Sequence, residues 1–209
     1  MINLSPPRFL QRFVKTVIWN FPNETDGVFL TFDDGPTRDI TPWVLEQLKK
    51  YNAKATFFCL AKNVEMNPDI YSQILADGHA VGNHSYSHIR GFRTDTSQYI
   101  QDIIYANSFI KSNLFRPPYG RIKPRQLFLL RHRYKIILWD VLSMDYSRRV
   151  SPKKVVNYVL HNVHPGAIIV FHDSVKAQRN LKYALPRVLE GIAAKGLTFK
   201  PIVIEDKTD

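Results

Sequence analysis

Two adjacent carboxylates follow an apolar run near the start of the chain and are the first candidates for chemistry. Residues 28–36 read V-F-L-T-F-D-D-G-P, so Asp33 and Asp34 stand where the run ends, and Gly35 and Pro36 then turn the backbone. Charge placed only at the exit of a buried strand is typical of a catalytic edge. Because Asp, Gly and Pro are also the usual turn residues, a solvated turn is the alternative interpretation.

Two histidines follow a later apolar run at a spacing that suits a divalent metal. His84 and His88 stand four residues apart in N-H-S-Y-S-H, and one turn of helix would direct both side chains the same way. Together with Asp34 they would form a set of two histidines and one carboxylate that leaves coordination positions open, as in catalytic zinc sites. Asp33 would then stay free as a general base. A surface or helix-capping pair is the alternative.

The segment F-R-P-P-Y-G can complete a site around these carboxylates. Arg116 is always protonated and can hold Asp33 in a bidentate grip that keeps the carboxylate ionised. The two prolines, Pro117 and Pro118, stiffen the loop, which can then present the backbone N–H of Tyr119 to a developing oxyanion. A rigid surface loop with an exposed arginine is the alternative.

Two further apolar runs end in residues that can bind a sugar or move a proton. Trp139 and Tyr146 can stack on the apolar face of a sugar ring. His172 ends the run A-I-I-V-F, where it can release a proton near neutral pH, and a neighbouring carboxylate such as Asp145 would raise its pKa and orient it. A structural histidine is the alternative.

Short apolar runs alternate with helical stretches and place these candidates at strand ends. The predicted strands cover residues 28–32, 55–60, 79–82, 114–115, 135–139, 167–171 and 197–204. The predicted helices cover residues 41–51, 68–77, 96–112, 124–132, 152–161 and 181–194. This alternation predicts an α/β fold with a parallel sheet and helical crossovers, open or closed into a barrel, in which chemistry collects at the carboxyl ends of the strands.

The first 25 residues form a separate pattern. Between Pro7 and Asn20 apolar residues recur at helical spacing and basic residues occupy the other side, which predicts a basic amphipathic helix. We therefore expect an N-terminal helical segment over residues 1–25 and one domain over residues 26–209. Packing of this helix on its own domain is one interpretation, and peripheral contact with an anionic membrane surface is the other.

Composition limits the partners and the location of the protein. The net charge of +11 over 209 residues favours anionic partners, but the cations are scattered and no recognition motif accompanies them, so we predict no nucleic-acid binding. Cys59 is the only cysteine, so no intramolecular disulfide can form. No stretch reaches the roughly 18 apolar residues of a membrane span, and basic residues interrupt the N-terminal apolar run. We expect no secretory signal and a cytoplasmic or cytoplasmic membrane-surface location.

Five motifs, taken in order, resemble a known family. The segments T-F-D-D-G-P, H-S-Y-S-H, R-P-P-Y-G, W-D-V-L-S-M-D-Y and V-F-H are together similar to the polysaccharide deacetylases, the NodB-homology family of metal-dependent carbohydrate esterases. The resemblance extends from about residue 28 to residue 204. It implies a distorted barrel of about seven strands and helices, the (β/α)7 barrel of this family. It also implies a divalent metal, zinc in the first place, with cobalt and nickel as alternatives.

The resemblance also implies a role for each matched residue. The metal ligands would be Asp34, His84 and His88. The groups that transfer protons, each with the residue that tethers or tunes it, would be Asp33 with Arg116 and His172 with Asp145. The residues beside the substrate would be Pro118, Tyr119, Trp139 and Tyr146, with the Tyr119 amide as the oxyanion donor.

Two motifs depart from the family pattern. Where the family usually has Asp-x-x-Asp-Trp, this chain has Leu142 in place of the first acid and Tyr146 in place of the tryptophan. Val170 stands where leucine is usual, a volume change that we expect to be mild. The acid that would partner His172 is retained, so we expect activity. The lost acid at Leu142 leaves the identity of the sugar open.

We therefore expect an N-deacetylase that releases acetate from an N-acetylated glycan or a lipid-linked sugar precursor, such as a peptidoglycan-like or chitooligosaccharide-like amino sugar. One alternative is deformylation or amide hydrolysis on a small or lipid-linked molecule. Another is a glycan-binding module without turnover, which the changes at Leu142 and Tyr146 motivate. The oligomeric state stays open.

Overall fold

The computed structural model describes residues 16–205. Its strands are β1 (Val17–Ile18), β2 (Gly27–Asp33), β3 (Thr56–Cys59), β4 (Ala80–Asn83), β5 (Leu114–Phe115), β6 (Lys135–Ile137), β7 (Val141–Leu142), β8 (Ile168–His172) and β9 (Thr198–Phe199). Its helices are α1 (Thr41–Lys50), α2 (Ala61–Met66), α3 (Pro68–Ala76), α4 (Thr96–Ala106), α5 (Pro124–Leu130), α6 (Pro152–Asn162) and α7 (Gln178–Ala194). Two short 3-10 turns cover Gly91–Arg93 and Pro118–Gly120.

The strands form one curled sheet in which β2 is an interior strand, third from one end. The order is β1-β6-β5-β4-β3-β2-β8-β7, β9 pairs separately with β2, and all of these pairings are parallel. All seven residues of β2 are buried, as expected for a strand covered on both faces. The predicted parallel sheet with helical crossovers is confirmed, and the carboxyl ends of β2, β4, β5 and β8 share one edge.

The core lies between this sheet and the helices. Phe32, Phe57 and Phe171 come from three adjacent strands, and their rings stack, with centroids 5.0 and 6.2 Å from Phe32. Each fully buried phenylalanine stabilises the fold by about 1.5–3 kcal/mol. The three rings pack among buried side chains of α1 and α7, so the strands that deliver the candidate residues have a rigid base.

The segment before β2 differs from the prediction. Val17 and Ile18, predicted to be helical, form β1 and pair in parallel with Ile136 and Ile137 of β6. The helix prediction is therefore wrong for these residues, because two β-branched side chains meet the apolar edge of β6. The remainder of the predicted helix, residues 7–15, lies outside the described residues. Part of the segment up to residue 25 packs on the domain, since the rings of Phe21 and Phe29 have centroids 4.3 Å apart.

Smaller differences concern short elements. The predicted strand over residues 197–204 is reduced to β9, because Pro201 lacks a ladder N–H and Ile202 instead donates to Oγ1 of Thr56, 2.8 Å away. The prediction missed α2 and β7, whose short apolar stretches carry no clear period. Within residues 16–205, no helix has both the length and the hydropathy needed to cross a bilayer.

Candidate active site

The register of the sheet brings the candidate residues together. In the β2–β8 pair, Asp33 lies opposite His172. In the β4–β5 pair, Asn83 lies opposite Phe115, so the next residues along the chain, His84 and Arg116, leave the sheet side by side. The carboxyl ends of four strands thus converge on one cavity.

Asp34, His84 and His88 form a candidate metal centre. One ligand atom from each residue lies within 4.8 Å of the others. Oδ1 of Asp34 is 3.3 Å from Nε2 of His88 and 3.8 Å from Nε2 of His84. Two ligands of a tetrahedral zinc ion lie about 3.3 Å apart, so a cation requires little adjustment. Oδ1 of Asp34 is also buried without a hydrogen-bond partner among the described residues, a deficit that a cation would satisfy.

Hydrogen bonds orient both histidines for metal binding. Nδ1 of His84 lies 2.8 Å from the carbonyl oxygen of Arg116, and Nδ1 of His88 lies 3.1 Å from the hydroxyl of Tyr119. A carbonyl only accepts, so Nδ1 of His84 carries the proton and Nε2 keeps its lone pair. Burial, reinforced by His88, lowers the pKa of His84 to about 3, and burial also lowers the pKa of His88. Neutral imidazole is the form that binds a metal.

A loop, rather than a helical turn, pairs the two histidines. The predicted turn of helix is wrong, since residues 84–90 contain no helix and Ser85 and His88 have φ angles of 70° and 59°. Side chains hold this loop: Oδ1 of Asn83 accepts from the Ser85 amide at 2.7 Å, and Asp102 accepts from the next two amides at 2.9 and 3.2 Å. Such local bonds compete with helix formation.

A buried arginine holds Asp33. Nη1 of Arg116 lies 2.7 Å from Oδ1 of Asp33. The contact uses one nitrogen, so the predicted bidentate grip is wrong: the other N–H groups donate to the carbonyl oxygens of Ile137 and Leu138 at 3.3 and 3.0 Å, and Nη1 also donates to Thr31 at 2.7 Å. Burial lowers the pKa of Arg116, and Asp33 opposes this shift. Each of the three guanidinium nitrogens therefore donates at least one hydrogen bond, which helps to compensate the buried charge.

His172 and Asp145 form a second coupled pair. Asp145 accepts twice at 2.8 Å, from Nδ1 of His172 with one oxygen and from the His172 backbone amide with the other. Burial alone would lower the pKa of His172, but the charge and hydrogen bond of Asp145 outweigh it and raise the pKa to about 9. His172 is therefore an imidazolium at neutral pH.

Two supporting residues were missed by the sequence interpretation. Asn180 of α7 is buried, and its amide donates to the Asp145 carbonyl at 2.9 Å, which fixes the loop that carries this acid. Asp173 is buried beside the turn at Gly35, where it accepts from the Gly35 amide at 3.1 Å and from Oγ1 of Thr41 at 2.5 Å. Burial raises the pKa of Asp173 to about 7. The sequence feature that could have indicated a supporting role for Asp173 is its position next to His172.

A cavity of about 470 Å³ joins these groups. Tyr119, Trp139 and Tyr146 line it, and their contact with substrate stays a prediction. Pro118 does not line it and is buried, so its predicted contact with substrate is not seen. The cavity wall also contains Leu142, at the position of the missing acid.

Backbone strain concentrates around this cavity. Six non-glycine residues in the described part of the chain have positive φ angles, and five of them lie in its loops: Asp34, Ser85, His88, Tyr119 and Met144. Such conformations persist only where the surroundings enforce them, and they cluster at functional sites.

The chain belongs to the polysaccharide deacetylase family. Residues 22–132 match the sequence model described as "Polysaccharide deacetylase". A peptidoglycan-N-acetylglucosamine deacetylase of Bacillus cereus is 35% identical over 186 residues, which cover 85% of this chain and 67% of the relative. The peptidoglycan-N-acetylmuramic acid deacetylase PdaC of Bacillus subtilis is 38% identical over 154 residues, or 70% of this chain and 32% of the relative.

A solved structure agrees with this assignment. The crystal structure of a peptidoglycan N-acetylglucosamine deacetylase, in complex with 4-naphthalen-1-yl-N-oxidanyl-benzamide, matches with a TM-score of 0.85 at 31% identity and covers 95% of each chain. The predicted family and its distorted (β/α)7 barrel are confirmed, as is the class of enzyme, a glycan deacetylase. The family is metal-dependent, and the Asp34 cluster is the corresponding candidate centre here.

Proposed function

We propose that this chain hydrolyses the acetamido group of an amino sugar in peptidoglycan or one of its precursors and releases acetate. One observation carries the proposal: Asp33, tethered by Arg116 at 2.7 Å, lies between a cluster of three metal-ligating side chains and the protonated His172. The peptidoglycan deacetylases among the relatives support the choice of glycan.

Zinc is the proposed metal. Two histidines and one carboxylate with open coordination positions are the ligand set of catalytic zinc sites. When bound, such an ion polarises the amide carbonyl and lowers the pKa of a nearby water. The residues present fit this group, since both imidazoles are neutral and Asp34 has a buried oxygen that finds no hydrogen-bond partner within residues 16–205.

Asp33 is the proposed general base. Its side chain is 5% exposed and opens on the cavity, where it can take the proton of the attacking water. Arg116 fixes the orientation of this carboxylate through the 2.7 Å contact. The backbone N–H of Tyr119 is the proposed donor to the negative charge that develops on the carbonyl oxygen.

His172 is the proposed general acid. Its Nδ1 is engaged by Asp145, so Nε2 carries the proton that passes to the departing amine nitrogen. The raised pKa keeps this proton in place at neutral pH until the amine leaves. The apolar wall of Trp139, Leu142 and Val170 offers a surface for the acetyl methyl group and the sugar ring.

The test replaces the proposed general base, Asp33, and measures the acetate released. Asp33→Asn should lower acetate release from peptidoglycan fragments and chitooligosaccharides by about 10²- to 10⁴-fold, since general base catalysis contributes that much, with the metal content unchanged. Asp39→Asn, an exposed carboxylate outside the cavity, is the matched control.

Other outcomes would support the alternatives. Wild-type acetate release that persists in Asp33→Asn would remove Asp33 from the mechanism. Formate release from N-formyl compounds without acetate release would favour a deformylase. Tight glycan binding without turnover would favour a binding module. The cytoplasmic or membrane-surface location and the peripheral membrane contact stay predictions from the sequence. The oligomeric state stays open.

A further inference from the structure

The rim of the cavity carries an excess of positive charge. Four exposed cations line it: Arg90, Arg93, Arg121 and Lys176. The acids that line it are Asp33 and Asp34. Both lie at the floor, where Asp33 pairs with Arg116 and Asp34 belongs to the candidate metal centre with the two histidines. Within the described residues, the acids of the cavity therefore leave the rim uncompensated.

Arg90 stands next to the candidate metal centre. Its guanidinium carbon lies 5.0 Å from the centroid of the Tyr119 ring. The same ring packs against His88 with centroids 4.5 Å apart, and its hydroxyl lies 3.1 Å from Nδ1 of His88. One aromatic ring thus separates this cation from a metal ligand, and a cation–π contact holds the guanidinium without neutralising it.

Lys176 occupies the corresponding place on the side of the general acid. Its Nζ lies 5.2 Å from the centroid of the Tyr146 ring. That ring packs edge-on against His172 at 4.9 Å. Each of the two cations is therefore one ring away from a residue of the proposed mechanism.

The loops behind Arg90, Arg93 and Arg121 are rigidly joined. Buried Gln126 donates to the Gly91 carbonyl at 3.0 Å and accepts from the Lys123 amide at 2.9 Å. A Cβ atom at Gly91 would lie 2.8 Å from the Arg121 carbonyl oxygen, so the loops that contain Gly91 and Arg121 are in close contact. Holding like charges together on a fixed platform costs free energy, which an anionic ligand would recover.

We infer that this cavity selects glycans bearing an anionic group near the scissile acetamido group, and that Arg90 and Lys176 recognise that group. The inference rests on the proposed function and narrows its substrate class. A carboxylate on a sugar substituent and a phosphate ester share the required chemistry, whereas an unmodified chitooligosaccharide has no charge to offer. A guanidinium and an ammonium are the side chains that bind such anions best.

The experiment compares tetrasaccharides of different charge, with one methyl ester as the neutral counterpart of the carboxylate. Chitotetraose is the neutral substrate. A peptidoglycan tetrasaccharide with lactyl carboxylates, the same compound as its methyl ester, and a 6-phosphorylated chitotetraose are the other three. The readout is kcat/KM for acetate release, expressed as the ratio of each substrate to chitotetraose. The carboxylate and phosphate arms distinguish the two sources of negative charge.

We expect at least one anionic substrate to exceed chitotetraose by about tenfold or more, and esterification to remove the advantage of the carboxylate, because one charge-assisted hydrogen bond contributes about that factor. Arg90→Gln and Lys176→Gln should each lower the ratio by a similar factor. Lys153→Gln, an exposed cation of α6 outside the cavity, should leave the ratio unchanged.

Two results would overturn the inference while leaving the deacetylase proposal intact. One is equal turnover of charged and neutral tetrasaccharides by the wild type. The other is an unchanged ratio in both variants, with the same loss on every substrate, which would indicate a structural role for the cations. Absence of acetate from all four compounds would instead overturn the proposed function, and this inference with it.

Discussion

Two histidines that line the cavity have pKa values shifted in opposite directions. His84 follows β4 and has its pKa lowered to about 3, whereas His172 ends β8 and has its pKa raised to about 9. Their Nδ1 atoms make bonds of the same length, 2.8 Å, but His84 meets a carbonyl of Arg116 and His172 meets the carboxylate of Asp145.

The main difference between the two rings lies in the charge of that partner, while His88 and Arg116 also lower the pKa of His84 and Asp33 and Asp34 also raise the pKa of His172. Burial disfavours the charged form of both rings. A carbonyl dipole does not offset this effect at His84, so the ring stays neutral and can bind a metal. A carboxylate overcomes it at His172, so the ring stays cationic and can donate a proton. Orientation by a hydrogen bond is thus common to both, and the identity of the acceptor sets the role.

The largest effect should come from the neutral histidine. His84→Ala removes a proposed metal ligand, so metal content should fall below about one tenth of the wild-type value, because even an outer-shell loss costs about 10- to 100-fold in metal affinity. Acetate release should fall to background. Elemental analysis of the purified protein checks this, with His161→Ala, an exposed histidine of α6, as the control. Full metal content in His84→Ala would contradict the assignment.

The cationic histidine should show a different signature. His172→Ala should lower kcat by about 10²- to 10⁴-fold, the contribution of a general acid, with metal content unchanged. If His172→Ala lost metal together with activity, the proposed difference in role between His84 and His172 would be contradicted. Substrates with better leaving groups should recover part of the lost rate, which a purely structural role would not produce.

The smallest and most specific effect should come from exchanging the acceptor. Asp145→Asn removes the largest charge that opposes the effect of burial on His172, while Asp33 and Asp34 remain, so the pKa of His172 falls. Activity that needs the protonated ring is present below this pKa and lost as the pH rises through it. The alkaline limb of the kcat/KM profile, set in the wild type by a pKa of about 9, should therefore move to lower pH, with about a tenfold loss at pH 7. A limb that stays in place would contradict the account of His172.

The sequence predicted the site residues that carry a local signal and missed those that depend on contacts between distant parts of the chain. Asp33, Asp34 and His172 were found because an apolar strand that ends in a polar residue is a local signal. The proximity of His84 and His88 was also predicted, but the predicted helical turn is a loop in the structure. A spacing of four residues suits both conformations. Asn180 and Asp173 were missed because a buried polar residue has no pattern of its own, and its partners lie far away in the chain.

The sequence by itself determined the parallel sheet, the family and the residue types available for chemistry, because hydrophobic period and motif order are written locally. Only the tertiary structure decided which nitrogen of each histidine is engaged, how Arg116 divides its donors between Asp33 and the backbone, and that the cations of the rim surround one cavity. These features depend on strand register and loop packing, which join residues more than a hundred positions apart.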